Sequence, residues 1–180
     1  MERSPIVIEE FTVKAYGIFE TEWMLLTAGD FATRQFNTMT ISWGSLGVMW
    51  NKPFAQVVVR PARHTYTFIE QYDTFTLCAF PRQYHRALSL LGTKSGRDGD
   101  KIAEAGLTPT AFAPGCAAPA FVEAELVIAC RKMYWQDIDP AHFLDPQIDR
   151  NYPEKDYHRI YFGEILAVEG TQRYSGTGNA

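Results

Sequence analysis

Cysteine is scarce in this chain: Cys78, Cys116 and Cys130 are odd in number, widely separated and without a CxxC pair. That excludes a disulfide scaffold and, with no secretory segment in view, makes a reducing cytoplasm the expected location. Positive charge is also in short supply, with 17 Lys and Arg against 21 Asp and Glu and a formal net charge of -4. The diffuse basic field that nucleic-acid binding draws on is therefore missing, and any anion site must be local. Long apolar runs are absent too; the stretch 122–130 is broken by Glu123 and Glu125, far short of the ~20 residues that cross a bilayer. His64, His85, His142 and His158 form no HExxH pair, and GxSxG, GxxxxGK[ST] and GxGxxG are all missing. Zinc hydrolysis, a serine triad, a phosphate loop and a dinucleotide-binding βαβ unit lose their sequence support, and no metal is expected. There is no internal repeat and no low-complexity tract, although residues 175–180 have the composition of a loose tail.

What remains is a composition of 46% hydrophobic and 21% charged residues over 180 positions, suited to one domain, 1–180, with a real core. Opening strands are expected at 5–11 and 23–29. From Asn37 to Trp50 the pattern reads as a hairpin: a strand, a turn at Gly44-Ser-Leu-Gly47, and a return strand from Val48. The β-branched run 54–60 ends at Pro61, which has no N–H for a ladder. Thr67-x-x-Glu70 has capping-box spacing, predicting a short helix from about Thr65 to Tyr72. Further expectations are a strand at 74–80, a helix from Tyr84 to Leu91 stopped by Gly92, and a brief helix at 100–105 closed by Gly106. An irregular segment follows at 108–119, then long strands at 121–134 and 158–169. Seven strands and three short helices without regular βα alternation predict a mainly β fold, a closed or partly closed antiparallel barrel with a few peripheral helices.

Alternation along Asn37-Thr-Met-Thr-Ile-Ser-Trp-Gly44 puts Thr38, Thr40 and Ser42 on one side and Met39, Ile41 and Trp43 on the other. Uncharged hydroxyls in a row suit a polyol chain or a heterocycle edge. Arg60 and Arg63 bracket Pro61, and Thr65 and Thr67 stand where the next helix starts, so cations, hydroxyls and free backbone N–H groups are offered to a phosphate. Lys94, Ser95, Gly96, Arg97 and Lys101 form a second cationic cluster with a flexible glycine. Taken singly, each has a plainer explanation: capping threonines, a solvated arginine, a charged connector between helices. Trp43, Trp50, Tyr134 and Trp135 suit a core or an oligomer interface as well as the side of a planar ring. His158 suits a structural hydrogen bond as well as a substrate contact.

Several ordered blocks resemble the flavin reductase-like family with an FMN-binding split barrel, in particular its flavoredoxin-type branch. They are 37–44, Trp50-Asn-Lys-Pro53, Arg60-Pro-x-Arg-x-Thr-Tyr66, Gly92-Thr-Lys-Ser-Gly-Arg-Asp-x-Asp-Lys101, Gly106-Leu-Thr-Pro109 and His158-x-Ile-Tyr-x-Gly-Glu164. The resemblance implies a split antiparallel β-barrel, and a homodimer with FMN near the subunit interface. It also implies electron transfer from NAD(P)H through FMN to an acceptor that the residues do not identify. An alternative is a flavin-binding electron carrier or storage module without NAD(P)H turnover. By the same resemblance Asn37, Thr38, Met39, Thr40 and Ser42 would line the flavin, and Arg60, Arg63 and Thr65 would serve its phosphate. Lys94, Ser95, Gly96 and Lys101 would close over it, with Lys101 a candidate cation beside the reduced pyrimidine. Trp43 and His158 would stand near the ring.

Overall fold

The computed structural model describes residues 2–176; residues 177–180, most of the expected tail, lie outside the described residues. The chain forms ten strands among those residues: β1 (Ser4–Ile6), β2 (Met24–Asp30), β3 (Gln35–Ile41), β4 (Gly44–Met49), β5 (Lys52–Val59), β6 (Thr74–Ala79), β7 (Pro109–Thr110), β8 (Ala120–Phe121), β9 (Leu126–Asp137) and β10 (Arg159–Gly170). Four short helices accompany them: α1 (Gly17–Glu20), α2 (His64–Gln71), α3 (His85–Thr93) and α4 (Lys101–Glu104). The main sheet runs β3-β2-β6-β9-β10-β5-β4, with β1 added to β10, and every pairing is antiparallel. Its two edge strands, β3 and β4, are joined by only Ser42 and Trp43. Three virtual bonds of 3.8 Å cannot separate the edges by more than ~11 Å. The sheet is thus forced to curl back on itself, and because β3 and β4 do not pair it remains a split barrel.

Apolar residues fill both faces of β2, β6 and β9. Leu26, Leu77 and Ile128 point into the barrel with Val57 and Tyr161, while their neighbours Leu25, Cys78 and Val127 meet Leu88, Leu91, Ile102 and Phe121 outside it. Double coverage explains why β2 and β6 are buried on both faces, Thr27, Thr74 and Thr76 included. Cys78 and Cys130 are packed there as small hydrophobes, and burial pushes the Cys78 thiol up to about 12.

Several local expectations change. The long strand expected at 121–134 starts only at Leu126, after the short β8 and a turn. The hairpin is β4–β5, not β3–β4: Gly44 to Gly47 lie within β4, and the two-residue turn is Trp50-Asn51, with φ 53° and 57°. Two successive left-handed residues match the twist of a tight hairpin, which a Gly-Ser-Leu-Gly turn at 44–47 would have placed one strand too early. The Thr67–Glu70 capping box does not form: Thr67 Oγ1 donates to His64 O, and Glu70 accepts from Arg159 and Tyr161. Gly92 does not stop α3 but lies inside it, where an added Cβ would stand 3.1 Å from Thr40 Cβ; the glycine lets the helix press against β3. The opening segment is a strand only over Ser4–Ile6, followed by a turn of 3-10 helix.

Candidate functional site

Strand β3 forms the floor of three cavities in series. The first, about 510 Å³, lies at the split and is lined by residues 39–43 together with Val58, Arg60, Ala62, Arg63, Asp156 and His158. The second is a notch of about 140 Å³ between the start of α2 and the loop after α3, and shares Met39 and Arg63 with the first. The third, about 690 Å³, lies between the β2–β3 tip and α4 and shares Asn37, Gly96 and Lys101 with the notch.

The notch is strongly cationic. Arg63, Lys94, Arg97 and Lys101 line it, and no carboxylate does. Lys101 is buried, with Nζ donating to Leu91 O at 2.9 Å and Lys94 O at 3.0 Å. Desolvation first, and then the Arg63 guanidinium, hold its ammonium down at about 8. His64 is lowered as well, by burial and then by Arg97 and Lys101, and its buried Nδ1 has no hydrogen-bond partner among the described residues. No side chain caps α2, and its first turn holds no acidic residue, which leaves N-terminal N–H groups free for an anion. Gly96 touches the opposite wall: a Cβ there would stand 2.3 Å from Asn37 Oδ1. Mutual repulsion among these cations, an orphaned imidazole nitrogen and a wall that admits only glycine together fit a phosphate. The wider first cavity is within the usual range for a small-molecule pocket and offers a planar ring the apolar edges of Met39 and Ile41.

In that first cavity the Trp43 and His158 rings stand 5.2 Å apart, and His158 Nδ1 lies 2.8 Å from Tyr152 Oη. Burial and then Arg60 push the imidazole down to about 4, so it is neutral near pH 7. Ser42 Oγ is exposed at the cavity edge.

The residues expected to bind from sequence divide into groups. Asn37, Met39, Arg63, Thr65, Ser95, Gly96 and Lys101 converge on the notch; Asn37 Nδ2 donates to the buried Thr65 Oγ1 at 2.8 Å. Thr38 does not reach any of these cavities. Its hydroxyl accepts from Thr27 and donates to Leu26 O, because this side of β3 is covered rather than open. Thr40 touches the first cavity, but its hydroxyl is spent on Leu88 O of α3. Arg60 lines the first cavity and not the notch; Asp156 at 3.2 Å and Asn151 O at 2.7 Å hold it, and it lies over the Tyr152 ring. A charge so paired is a poor phosphate ligand. Lys94 contributes to the notch wall while its ammonium is bound to Glu104. Lys101 does not line the first cavity, so it is misplaced to balance charge on a ring there.

His64, Arg97, Tyr152 and Asp156 join the site without having been among the expected binders. His64 and Arg97 sit inside the two cationic motifs, where position alone marks them. Tyr152 and Asp156 belong to a long connection between β9 and β10 that carries no local signal.

A profile of the family described as flavin reductase like domain matches residues 16–176. No curated protein matches the chain. Among solved structures, the flavoredoxin of Desulfovibrio vulgaris (Miyazaki F) is 23% identical, with 90% of this chain and 75% of that one covered and a TM-score of 0.64. An FMN-binding domain of a flavin reductases-like enzyme from Shewanella baltica OS155 is 17% identical, covering 99% and 82%, with a TM-score of 0.69. An NADH:FAD oxidoreductase of Streptomyces globisporus is 15% identical, covering 89% and 85%, with a TM-score of 0.65. At these identities the structural likeness concerns the fold.

Proposed function

The chain belongs to the flavin reductase-like domain family, and we propose that it is an FMN-dependent oxidoreductase passing electrons from a reduced nicotinamide nucleotide through the flavin to an acceptor. The observation that carries this reading is the carboxylate-free cationic notch opening onto a ring-sized cavity at the barrel split. When bound, FMN supplies the electron-transfer chemistry, and no acid-base dyad is demanded of the protein. Arg63, Arg97 and the start of α2 hold the phosphate. Lys101 keeps its proton against a repulsive field that an anion relieves. Met39 and Ile41 give the ring an apolar floor, and Trp43 with the neutral His158 narrows the cavity and limits water around it.

The second part of the proposal is a homodimer. Val48, Trp50, Tyr134 and Trp135 are exposed, and the Trp50, Tyr134 and Phe162 rings cluster with centroids 5.9 to 6.2 Å apart. Aromatic surface of this kind is characteristic of interfaces. Sedimentation of the native chain and of Trp50→Asp tests it: the native chain should run as a dimer and the variant as a monomer.

Stopped-flow spectroscopy of the FMN-loaded protein tests the activity. Bleaching of flavin absorbance by NADH or NADPH is expected. FMN that stays oxidised under both, yet accepts electrons from a protein donor, would replace the enzyme with a carrier; failure to bind FMN would remove both readings.

A further inference from the structure

The connection between β9 and β10, residues 138–158, buries the side chain of Tyr152, which is 2% exposed. Its ring stacks on Phe143 at 6.3 Å, lies 4.9 Å from Tyr157 and carries the Arg60 guanidinium 5.1 Å from its centroid. Arg60 is itself tied to the same connection through Asp156 and Asn151 O. Contacts on several sides fix the place of the phenol hydroxyl, which meets His158 Nδ1 at 2.8 Å. Nothing in the flavin reading uses that bond.

Hydrogen-bond accounting settles its direction. Burial is the first cause that raises the Tyr152 phenol above its ordinary range, so it keeps its proton near pH 7. Among the described residues His158 Nδ1 is the one acceptor that proton has. Were Nδ1 to carry the hydrogen instead, a buried O–H would be left without an acceptor, the costlier arrangement. Nδ1 therefore accepts, and a neutral imidazole must then carry its single hydrogen on Nε2. Burial and then Arg60 keep the ring neutral by holding it down at about 4. His158 Nε2 has no partner among the described residues, yet it is not one of the sealed, unpartnered atoms there, which are Arg3 Nε and His64 Nδ1. Tyr152 stands behind the imidazole and does not line the first cavity, whereas His158 lines it beside Trp43. The Nε2 edge is thus the one left to the cavity. Neighbouring donors are already committed, the Thr40 hydroxyl to Leu88 O and Arg60 to Asp156 and Asn151 O.

We propose that Tyr152 is a positioning residue: by donating to Nδ1 it holds His158 as the Nε2–H tautomer, a fixed neutral donor for the carbonyl oxygen of a planar, uncharged compound entering the first cavity beside Trp43. Such a donor selects a ketone, aldehyde or amide over an analogue without the oxygen, because its own N–H is left unpaired by the analogue. This deepens the flavin reading by naming the class of small molecule admitted beside the ring; for that role it rests on FMN binding, and for the tautomer it does not.

Long-range proton–nitrogen correlation spectra of the isotope-labelled, flavin-free chain read the tautomer directly, with His158 assigned by its loss in His158→Gln. The native chain should show Nε2 protonated and Nδ1 bare. Tyr152→Phe keeps the ring contacts and removes the hydroxyl, and should move the Nδ1 resonance toward that of a nitrogen without a hydrogen bond. The same samples, and then the FMN-loaded ones, are titrated with acetophenone and with ethylbenzene, which has a similar shape and no oxygen. The native chain should favour the ketone by about fivefold with or without FMN, and Tyr152→Phe should bring the two ligands within a factor of about two. An Nδ1–H tautomer in the native chain, an unmoved Nδ1 resonance in Tyr152→Phe, or equal native affinities for the two ligands would overturn the proposal. A preference that vanishes once FMN is bound would give the donor to the flavin and overturn the carbonyl site. A chain that refuses FMN removes the flavin reading and leaves the flavin-free spectra and titrations to decide this one.

Discussion

Lys101 should make flavin affinity a function of pH. Its ammonium is buried beside Arg63 and titrates at about 8 in the free protein, and a phosphate in the notch opposes that field and raises it. Binding therefore takes up a proton once the pH exceeds about 8, and affinity falls as pH rises between the free and the bound value. If the bound value is about 9, the ratio of protonated populations makes FMN about fivefold weaker at pH 9 than at pH 7; if it is above about 10, the loss approaches tenfold, ~1.4 kcal/mol. Equilibrium titration of flavin-free protein with FMN from pH 6.5 to 9.5 measures this, with riboflavin, which has no phosphate, as the reference that should stay flat. Lys101→Met should bind FMN weakly with no slope. It leaves Leu91 O and Lys94 O without their donor, at a stability cost of about 1–3 kcal/mol, so Lys101→Arg accompanies it and should bind FMN with no loss between pH 7 and 9. A flat FMN profile in the native protein, or the same slope in Lys101→Met, would refute the reasoning.

Arg63→Ala should weaken FMN by about 1–3 kcal/mol through loss of charge-assisted hydrogen bonds; the residue is exposed and, among the described residues, its side chain donates only to Gly92 O, so thermal unfolding should change little, and an unchanged dissociation constant would move the phosphate elsewhere. Thr40→Val should cost less affinity than Arg63→Ala, since its hydroxyl already serves Leu88 O; the reverse order in the same titration counts against the assigned geometry. Gly96→Val drives a side chain into Asn37, 2.3 Å from the Cβ position, and should reduce FMN affinity more than it lowers the melting temperature. For His158, the unfolded chain takes up a proton near 6.5 and the folded one only near 4. The neutral imidazole's contribution to stability is thus present above about 6.5 and is lost as pH falls toward 4; His158→Gln should show a shallower decline over that window in denaturant unfolding.

Local chemistry was visible along the chain, whereas the side on which it would be used was not. Residues 60–65 and 94–101 each read as cationic, the second as glycine-bearing too, and the fold brings both to one notch because α3 lies against β3, with Thr40 on Leu88 and Gly92 on Thr40. Alternation along 37–43 was equally plain, yet period two says only that two faces differ. The face carrying Thr38 and Thr40 is covered by β2 contacts and α3, so Thr38 reaches no cavity and the Thr40 hydroxyl is spent on Leu88 O, while Asn37 and Met39 reach the notch. Choosing between the faces requires knowing that β3 is an edge strand with a helix on one side, a fact set by β2 pairing with both β3 and β6. Arg60 poses the same problem at longer range: its neutralising partner Asp156 lies 96 positions away, and nothing near residue 60 distinguishes an arginine that awaits an anion from one already paired. Arg63, three residues on, keeps its charge free for the opposite reason, since its only acceptor among the described residues is a backbone carbonyl. Two arginines of one motif thus divide their duties, one bracing the wall of the first cavity and the other facing the cationic notch, and exchanging their partners would invert the roles. Asp156→Asn should therefore release Arg60, and if the division is correct it will strengthen FMN binding while lowering stability.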